Sequence, residues 1–400
     1  MNGRRYSLKL VLTLVFLTSA LTCLIVSLLF YFYLTAINFE QRDKSNFAEL
    51  MDVITTRFIG TFDIDEIEDA AKKAAVESLD DDWSFYMSPA EYDQFLATAN
   101  NRYSGIGVEV VIDDETTGIK VLGVYRDSGA DNAGIIIGDI ITAVDGDSIL
   151  GFSLNDVRDV LRRQIGETAV VTVLRSDGNY YDLTVVYDVV FVDPVSFEML
   201  DDNIGYVLLR NFEMGAADRF IYAVEDLIEQ GAVAFIYDVR SNNGGRVGEV
   251  TAILDFLLPE GEIFISVNTS GEEQITKSDA EFIDFPAVVL VNEFSYSGAE
   301  YFAAMLDEYD YAITVGVQTT GKNRMQTTIP LSNGSAVHIS TGHYLTKNRV
   351  SLYDTGGYTP NHIIPLSEDE FELYIMGELE KDSDPQLIKA LSLLVNQHGR

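Results

Sequence analysis

The sequence is poor in basic residues and contains a single cysteine. Only 27 Lys and Arg stand against 63 Asp and Glu in 400 residues, which gives a formal net charge of −36 at pH 7. Nucleic-acid binding needs clustered cations that neutralise phosphates, so this composition argues strongly against a nucleic-acid partner. The one cysteine, Cys23, allows neither an internal disulfide nor a cysteine-rich zinc site.

Histidine is also scarce. The usual base for a serine nucleophile is histidine, but no motif places a histidine beside a candidate serine, and no Gly-x-Ser-x-Gly elbow occurs. The whole set is His338, His343, His362 and His398. The first three lie in β-like or loop segments, where a structural role is the simpler interpretation. The acidic run at 80–82 is more typical of a solvated helix end than of a metal site, because adjacent carboxylates point in different directions.

One long segment lacks charge altogether. Residues 10–39 carry no charged side chain, and about 20 such residues suffice to span a bilayer as a helix. We therefore predict a transmembrane anchor over residues 10–37. A secretory signal cleaved near Ala36 is the alternative, although the apolar core of such a signal is usually only about 7–15 residues long.

The residues before this segment predict its orientation. Arg4, Arg5 and Lys9 lie in the short N-terminal stretch, residues 1–9. Because positively charged flanks stay on the cytoplasmic side, we expect a cytoplasmic N-terminus and a single pass through the cell membrane. The rest of the chain is then extracytoplasmic.

The pattern of apolar residues divides the remaining chain into three parts. Residues 38–100 carry Ala, Val and Leu at helical spacing and predict a polar-faced helical segment. Residues 101–188 contain short β-rich runs broken by glycine-bearing turns, with two helical pieces, which fits a small β-barrel or sandwich with two helices. Residues 189–400 alternate buried apolar strands with helices and predict an α/β core closed by C-terminal helices.

The β-rich part resembles a PDZ domain. The resemblance rests on "SGIGV" at 104–108, "AGIIIGDIITAVDGDSI" at 133–149 and the helix after Ser153. PDZ domains bind a free C-terminus as an added strand and hold its carboxylate with loop amides. The candidate donors here are the N–H groups of Ile106, Gly107 and Val108. A purely structural tight turn at Gly105 and Gly107 is the alternative.

Two serines lie where a strand turns into a helix, in "AVVLVNEFSYSGAEYFAAML" at 287–306. Ser297 and Glu300 form the capping-box pattern Ser-x-x-Glu, which is a sufficient structural explanation for that serine. The same turn suits a nucleophile, because it exposes the hydroxyl and lets the N–H of Gly298 donate to a developing oxyanion. The loop "SNNGGRVGE" carries Gly244 and Gly245 between another strand and helix, where amides can hold an oxyanion or a phosphate, or simply form a turn.

A lysine is the candidate base. Lys322 follows a glycine in "TTGKNRMQ", and Gln326 lies four residues later. On an extended strand these two positions share a face, so the Gln326 amide oxygen would accept a hydrogen bond from the lysine and orient it. A lysine base must be neutral, yet its ordinary pKa is about 10.4, so burial must lower that pKa by several units.

Together these motifs resemble the C-terminal processing peptidases, also called tail-specific proteases, from about residue 50 to the C-terminus. The stretches that carry the resemblance are "LDDDWSFYMSPAEY", "DVRSNNGG", "VNEFSYSGAE", "TTGKNRMQ", "GGYTPNHIIP" and "DPQLIKAL". These enzymes are serine peptidases with a Ser-Lys catalytic pair and an inserted PDZ domain. The resemblance implies an α/β peptidase core of the ClpP/crotonase type, no metal and no cofactor.

By this resemblance, Ser297 rather than Ser295 is the nucleophile, Lys322 the base and Gln326 the residue that orients it. The oxyanion hole uses the amides of Gly298 and of Gly244 or Gly245. The implied function is a membrane-anchored extracytoplasmic endopeptidase that captures C-terminal tails and cleaves through an acyl-enzyme. Related proteins dimerise, and the helical segment before the PDZ domain is the candidate dimer contact. The competing hypothesis is a catalytically silent PDZ receptor that only binds tails at the cell surface.

Overall fold

The computed structural model describes residues 8–42, 46–113, 116, 118–161 and 163–398. The chain divides into two units, residues 1–70 and residues 71–400. The first unit contains α1 (Leu8–Arg42), α2 (Asn46–Arg57) and the beginning of α3 (Ile64–Glu77). Over the described residues, no helix is both long enough and apolar enough to cross a membrane. The transmembrane helix predicted for residues 10–37 is therefore not supported.

The second unit opens with a short strand and helix that precede the β-rich part. Its first elements are β1 (Phe85–Met87), α4 (Pro89–Thr98) and β2 (Arg102–Gly105). Helix α4 begins at Pro89 because Ser88 and Glu91 form a reciprocal capping box. This part of residues 38–100 is less helical than predicted, because residues 85–87 pair as a strand with a distant part of the chain.

The β-rich part is a six-stranded sheet with two short helices. Its elements are β3 (Val108–Ile112), β4 (Ile119–Val124), α5 (Gly129–Ala133), β5 (Ile140–Val144), β6 (Asp147–Ser148), α6 (Leu154–Val160), β7 (Thr168–Leu174) and β8 (Tyr180–Val186). The strands lie in the order β3-β4-β5-β7-β8, with β6 paired to β5. Buried Ile and Val side chains form its own core, among them Ile119, Val121, Ile141 and Val171. Strand β9 (Asp188–Phe191) returns the chain to β2.

The α/β part alternates strands and helices as predicted. Its elements are β10 (Val195–Leu200), β11 (Ile204–Leu209), α7 (Ala216–Glu229), β12 (Ala234–Asp238), α8 (Val247–Leu257), β13 (Gly261–Asn268), β14 (Glu273–Ser278), β15 (Ala287–Val291), α9 (Gly298–Glu308), β16 (Ala312–Gly316), β17 (Arg324–Pro330), β18 (Ala336–Leu345), β19 (His362–Ile363), α10 (Glu368–Ile375) and α11 (Pro385–His398). The main sheet has the order β10-β11-β12-β15-β16-β19 and is parallel from β11 onward.

Both faces of this sheet are covered, which explains its continuous apolar strands. Phe235 and Tyr237 of β12 belong to a core that includes residues of α7, α8 and α9. Ile236, which lies between them, belongs to a second core that includes Leu387 and Leu394 of α11. Alternate side chains of one strand thus fill two separate layers, as the two-residue period of a strand requires.

A second sheet carries the lysine motif. It has the order β1-β18-β13-β14, and β17 pairs with β18 along Ala336–His343. Lys322 lies two residues before β17 begins at Arg324. Strand β1 pairs with β18 in the register Phe85 to His338, so the segment before the PDZ-like part lies beside the lysine motif.

Candidate active site

The glycine loop and the serine turn meet at one edge of the main sheet. Strands β12 and β15 are parallel neighbours, with Asp238 opposite Leu290, so the loops that follow them leave at the same edge. A Cβ atom on Gly244 would lie 2.7 Å from Gly298 N and 2.8 Å from Ser297 Cβ, and Gly244 has a φ of +84°. Only glycine permits both this conformation and this close approach.

Ser297 occupies a strained turn. It is the N-cap of α9, with φ 56° and ψ −120°. Such a conformation is costly for a residue with a side chain and is typical of functional sites. The Ser297 side chain is only partly buried, and it is followed directly by Gly298 N at the helix start. The turn therefore presents a hydroxyl next to a backbone donor, as a nucleophile requires.

Ser295 has a different role. Its side chain is fully buried, and its Oγ donates a hydrogen bond to Val239 O at 2.7 Å and accepts one from Asn292 N at 3.0 Å. These bonds join the ends of β12 and β15. The hydroxyl of Ser295 is engaged in backbone contacts, whereas Ser297 is only partly buried and its side chain interacts with that of Tyr344.

The two glycines of the loop are not equivalent. The N–H of Gly244 donates to Asn242 Oδ1 at 2.8 Å, and its carbonyl accepts from Phe212 N at 2.8 Å. Gly245 is exposed, and a Cβ atom there would lie 2.3 Å from the Phe212 carbonyl oxygen. This arrangement favours the Gly245 amide as the partner of Gly298 in an oxyanion hole, with Gly244 providing the close approach.

One buried carboxylate joins the serine turn to the lysine loop. Glu300 Oε1 accepts hydrogen bonds from Ser297 N at 2.9 Å and from Lys322 N at 2.6 Å. Its Oε2 accepts from Gly321 N at 2.9 Å and from Thr319 Oγ1 at 2.7 Å. The capping-box pattern identified only the contact to Ser297, because the other three donors are distant in sequence.

The electrostatic environment of Glu300 is balanced between burial and hydrogen bonding. Its side chain has no exposed surface. Burial raises the pKa of Glu300, while the four donors oppose that rise because they stabilise the carboxylate. The carboxylate therefore acts here as an acceptor that fixes two backbone segments, a role that needs its full set of donors.

Lys322 lies close to the serine turn in a partly buried position. Burial lowers its pKa to about 8, while the negative charges of Glu300 and Asp81 act in the opposite direction. Its Nζ lies 4.2 Å from the centroid of the Trp83 ring. Its backbone carbonyl accepts a hydrogen bond from the buried Tyr344 hydroxyl. Among the described residues, no hydrogen bond joins Lys322 Nζ to Ser297 Oγ.

Gln326 does not contact Lys322 through its amide. Its Nε2 donates to Arg324 O at 3.1 Å and to Ser340 Oγ at 3.1 Å. The extended strand assumed for residues 322–326 is wrong for a physical reason: β17 begins at Arg324, and its register against β18 shifts between Met325 and Gln326. Because Lys322 lies outside the strand, the simple alternation on which the shared face was predicted does not extend to it, and the extra residue of the shift, Thr341, lies in β18.

The other polar groups near the lysine are structural in this conformation. His338 Nδ1 lies 2.8 Å from Thr328 Oγ1, and burial together with the Lys322 charge lowers the pKa of His338 to about 4. Asp81, in the acidic run at 80–82, pairs with Arg324 at 2.8 Å. This carboxylate therefore links the segment before the PDZ-like part to β17.

The predicted carboxylate loop lies at the open edge of the β-rich sheet. The carbonyl of Ile106 accepts from Ala130 N at 2.7 Å, and that of Gly107 accepts from Tyr125 N at 3.0 Å. Gly107 has a φ of +86°, and a Cβ atom there would lie 2.2 Å from Ser128 Cβ. Val108 opens β3, which lies at one end of its sheet order. The loop is thus held by its carbonyls beside an edge of β3 that pairs with no other strand in the part of the chain that the structure describes.

Comparisons with known proteins agree with this architecture. Residues 203–364 match the model of peptidase family S41, and residues 120–175 match a PDZ domain model. "Carboxy-terminal processing protease CtpA" of Bacillus subtilis (strain 168) is 29% identical over 316 residues, which cover 78% of this chain and 67% of that protein. "Carboxyl-terminal-processing protease" of Synechocystis sp. (strain ATCC 27184 / PCC 6803 / Kazusa) is 28% identical over 323 residues, or 79% of this chain and 74% of that one.

A solved structure shows the same fold. The protein from Bacteroides fragilis NCTC 9343 that is assigned to the S41 proteases has a TM-score of 0.59 with 18% identity, covering 85% of this chain and 92% of its own. The fold and the matches define a serine peptidase with a PDZ domain. The chain is thus similar to C-terminal processing peptidases of family S41, which confirms the resemblance predicted from its motifs and supports a serine-type peptidase over a silent receptor.

Replacement of Glu300 tests whether the serine turn and the lysine loop depend on one carboxylate. In Glu300→Gln, one carboxylate oxygen becomes an NH2 group that faces backbone donors. We expect the free energy of unfolding to fall by about 3 kcal/mol and kcat/KM to fall by about 100-fold, because small displacements of catalytic groups are costly. Urea unfolding and peptide cleavage measure the two effects.

A matched control is Glu273→Gln, at an exposed carboxylate that pairs with Arg349 at 3.3 Å. Exposed ion pairs contribute little, so this variant should change stability by less than about 1 kcal/mol and leave cleavage unchanged. Equal effects of the two substitutions would contradict the assigned role of Glu300.

Proposed function

We propose that this chain is an endopeptidase that binds the C-terminal tails of protein substrates and cleaves them through an acyl-enzyme on Ser297. The observation that carries the proposal is the shared hydrogen bonding of Glu300 to Ser297 N and Lys322 N. One rigid contact thus sets the nucleophile turn and the base loop side by side. A Ser-Lys pair explains why a serine site in this chain needs no histidine.

In the proposed reaction, neutral Lys322 Nζ accepts the proton of Ser297 as Oγ attacks the peptide carbonyl carbon. The N–H groups of Gly298 and Gly245 stabilise the oxyanion of the tetrahedral intermediate. The lysine ammonium then protonates the leaving amine, and the C–N bond breaks to leave an ester on Ser297. Water attacks this ester, with Lys322 again accepting a proton, and the new carboxylate leaves as Ser297 regains its proton.

Gln326 enters this scheme as the residue that orients Lys322. Its amide now donates to Arg324 O and Ser340 Oγ, so the role requires a rotation of the side chain toward the lysine. The lysine side chain must likewise rotate so that Nζ comes within hydrogen-bond reach of Ser297 Oγ. We propose that substrate binding brings about both rotations.

The PDZ domain supplies tail recognition in this proposal. A peptide tail would add to the free edge of β3, and the N–H groups of Ile106, Gly107 and Val108 would bind its carboxylate. The open position of β3 in the sheet order and the hydrogen-bonded carbonyls of the loop support this assignment. Substrates would therefore be proteins with a free, unstructured C-terminus.

Two substrates that differ only in their C-terminal group test the proposal. One unfolded polypeptide ends in a free carboxylate and the other in an amide, and both are incubated with the unaltered chain. We expect cleavage of both, with KM at least about tenfold higher for the amide, because charge-assisted hydrogen bonds to the carboxylate are lost. Equal KM values would contradict tail capture, and no cleavage of either would contradict the peptidase assignment.

The location of the chain and its assembly are proposals that rest on the sequence. The uncharged residues 10–39 after Arg4 and Arg5 favour a membrane-anchored chain with an extracytoplasmic peptidase. Residues 38–100 are the candidate contact of a homodimer. Membrane fractionation with protease access from outside tests the first proposal, and sedimentation of the detergent-solubilised full chain tests the second. Recovery in the soluble cytoplasmic fraction, or a monomer at all concentrations, would contradict them.

A further inference from the structure

The lysine motif contacts an aromatic residue that the proposed mechanism does not use. Trp83 is the only tryptophan of the chain. Its ring lies under Lys322 Nζ at 4.2 Å from the centroid, and the ring of Tyr296 lies 5.8 Å from the same atom. The two rings are themselves in contact, with centroids 5.7 Å apart. The ammonium group thus lies in an aromatic cleft formed by these two side chains.

Residues on both sides of Trp83 make contacts with the sheet that carries the lysine motif. Before Trp83, Asp81 Oδ1 pairs with Arg324 at 2.8 Å. After it, Ser84 Oγ accepts a hydrogen bond from Ser340 N at 3.0 Å, and Phe85 pairs with His338 in the register of β1 and β18. The position of the indole ring is therefore fixed by the same sheet that fixes β17.

The aromatic cleft differs from the charged groups around the lysine. Three charged or titratable groups face Lys322: Glu300 from α9, Asp81 from the Trp83 segment and His338 from β18. Each of these groups already has a hydrogen-bond partner. An aromatic face attracts an ammonium group but accepts no proton from it. It also excludes water from one side of the lysine. Such a contact holds the side chain without competing for the proton that catalysis must move.

We propose that Trp83 is a positioning residue for the catalytic lysine: with Tyr296 it keeps Lys322 Nζ out of water and holds it beside the serine turn. The inference rests on the proposed function in so far as Lys322 is the base. Removing the ring has two opposed effects on the lysine. Loss of the cation–π contact favours the neutral amine, while entry of water favours the ammonium, and desolvation is the larger influence on this lysine.

The pH dependence of cleavage separates positioning from general structural damage. For Trp83→Ala in the full chain, we expect the midpoint of the acidic limb of kcat/KM to move up by about one pH unit. At pH values below the midpoint, kcat/KM should be about tenfold lower than that of the wild-type chain. At pH values well above it, the two values of kcat/KM should be the same. Trp83→Phe keeps an aromatic face and should keep the wild-type limb. A loss that is uniform across pH, or higher activity of Trp83→Ala at neutral pH, would overturn the proposal.

The fluorescence of the single tryptophan tests the same contact without substrate. We expect the emission of the wild-type chain to titrate with the midpoint of the acidic limb, and the emission of Lys322→Met to be flat over that range. Flat emission of the wild-type chain beside a titrating activity would overturn the role of Trp83. Emission that titrates in a chain that cleaves nothing would instead refute the proposed function and leave the contact between the lysine and the indole ring intact.

Discussion

Ser297→Ala should abolish cleavage of an unfolded substrate and leave tail binding intact. Loss of a serine nucleophile removes the covalent pathway, so we expect kcat to fall by about a million-fold. The PDZ domain has its own core, and its carboxylate loop does not involve Ser297, so tail affinity should be unchanged. Cleavage assays and binding isotherms on the same purified full chain measure the two quantities.

Ser295→Ala is the matched control. Ser295 Oγ joins Val239 O to Asn292 N in a fully buried position, so its removal should lower the free energy of unfolding by about 1–3 kcal/mol. Cleavage should persist below the reduced melting temperature, because the hydroxyl that reacts is still present. If Ser297→Ala cleaves normally while Ser295→Ala does not, the assignment of the nucleophile is wrong.

Lys322→Met should reduce kcat/KM by about 1,000-fold or more, because the serine loses its general base. Met keeps a side chain of similar length in the cleft between Trp83 and Tyr296, so the fold should be retained. Lys322→Arg is the informative companion variant, since a guanidinium keeps the positive charge but cannot act as a base near neutral pH. Both variants should show this loss of kcat/KM, and both should melt near the wild-type temperature.

Cleavage by the wild-type chain should become faster as the pH rises. The pKa of Lys322 is lowered to about 8, and the amine is active only when neutral. The active fraction therefore rises with pH, about tenfold per unit below the pKa, and levels above it. A profile that is flat between pH 6 and pH 9, or substantial activity in Lys322→Arg, would contradict the lysine as base.

Motif order and hydrophobic period were sufficient to predict the main parts of this fold. The strands of the PDZ domain and the alternating strands and helices of the peptidase region depend on local sequence. The spacing of apolar residues predicts such elements well. The strand-to-helix turn at Ser297 and the glycine loop at Gly244 are also local. Their meeting follows from parallel neighbouring strands, which the sequence suggests only indirectly.

Contacts between distant segments could not be predicted in the same way. Glu300 was recognised as a capping residue, yet three of its four donors lie in residues 319–322. Trp83 was part of a recognised motif, but nothing in its local pattern indicates contact with Lys322. The position of Gln326 depends on a register shift between β17 and β18, and no alternation of side chains reveals such a shift in advance.

The proposed function depends on a covalent intermediate that Ser297 forms with the help of Lys322. The most direct measurement is intact-mass and peptide-mapping mass spectrometry of the full chain after reaction with a serine-directed fluorophosphonate. We expect one adduct on the peptide that contains Ser297, absent from Ser297→Ala, retained in Ser295→Ala and formed much more slowly in Lys322→Met. An adduct on Ser295, or labelling that is equally fast without Lys322, would contradict the proposed function.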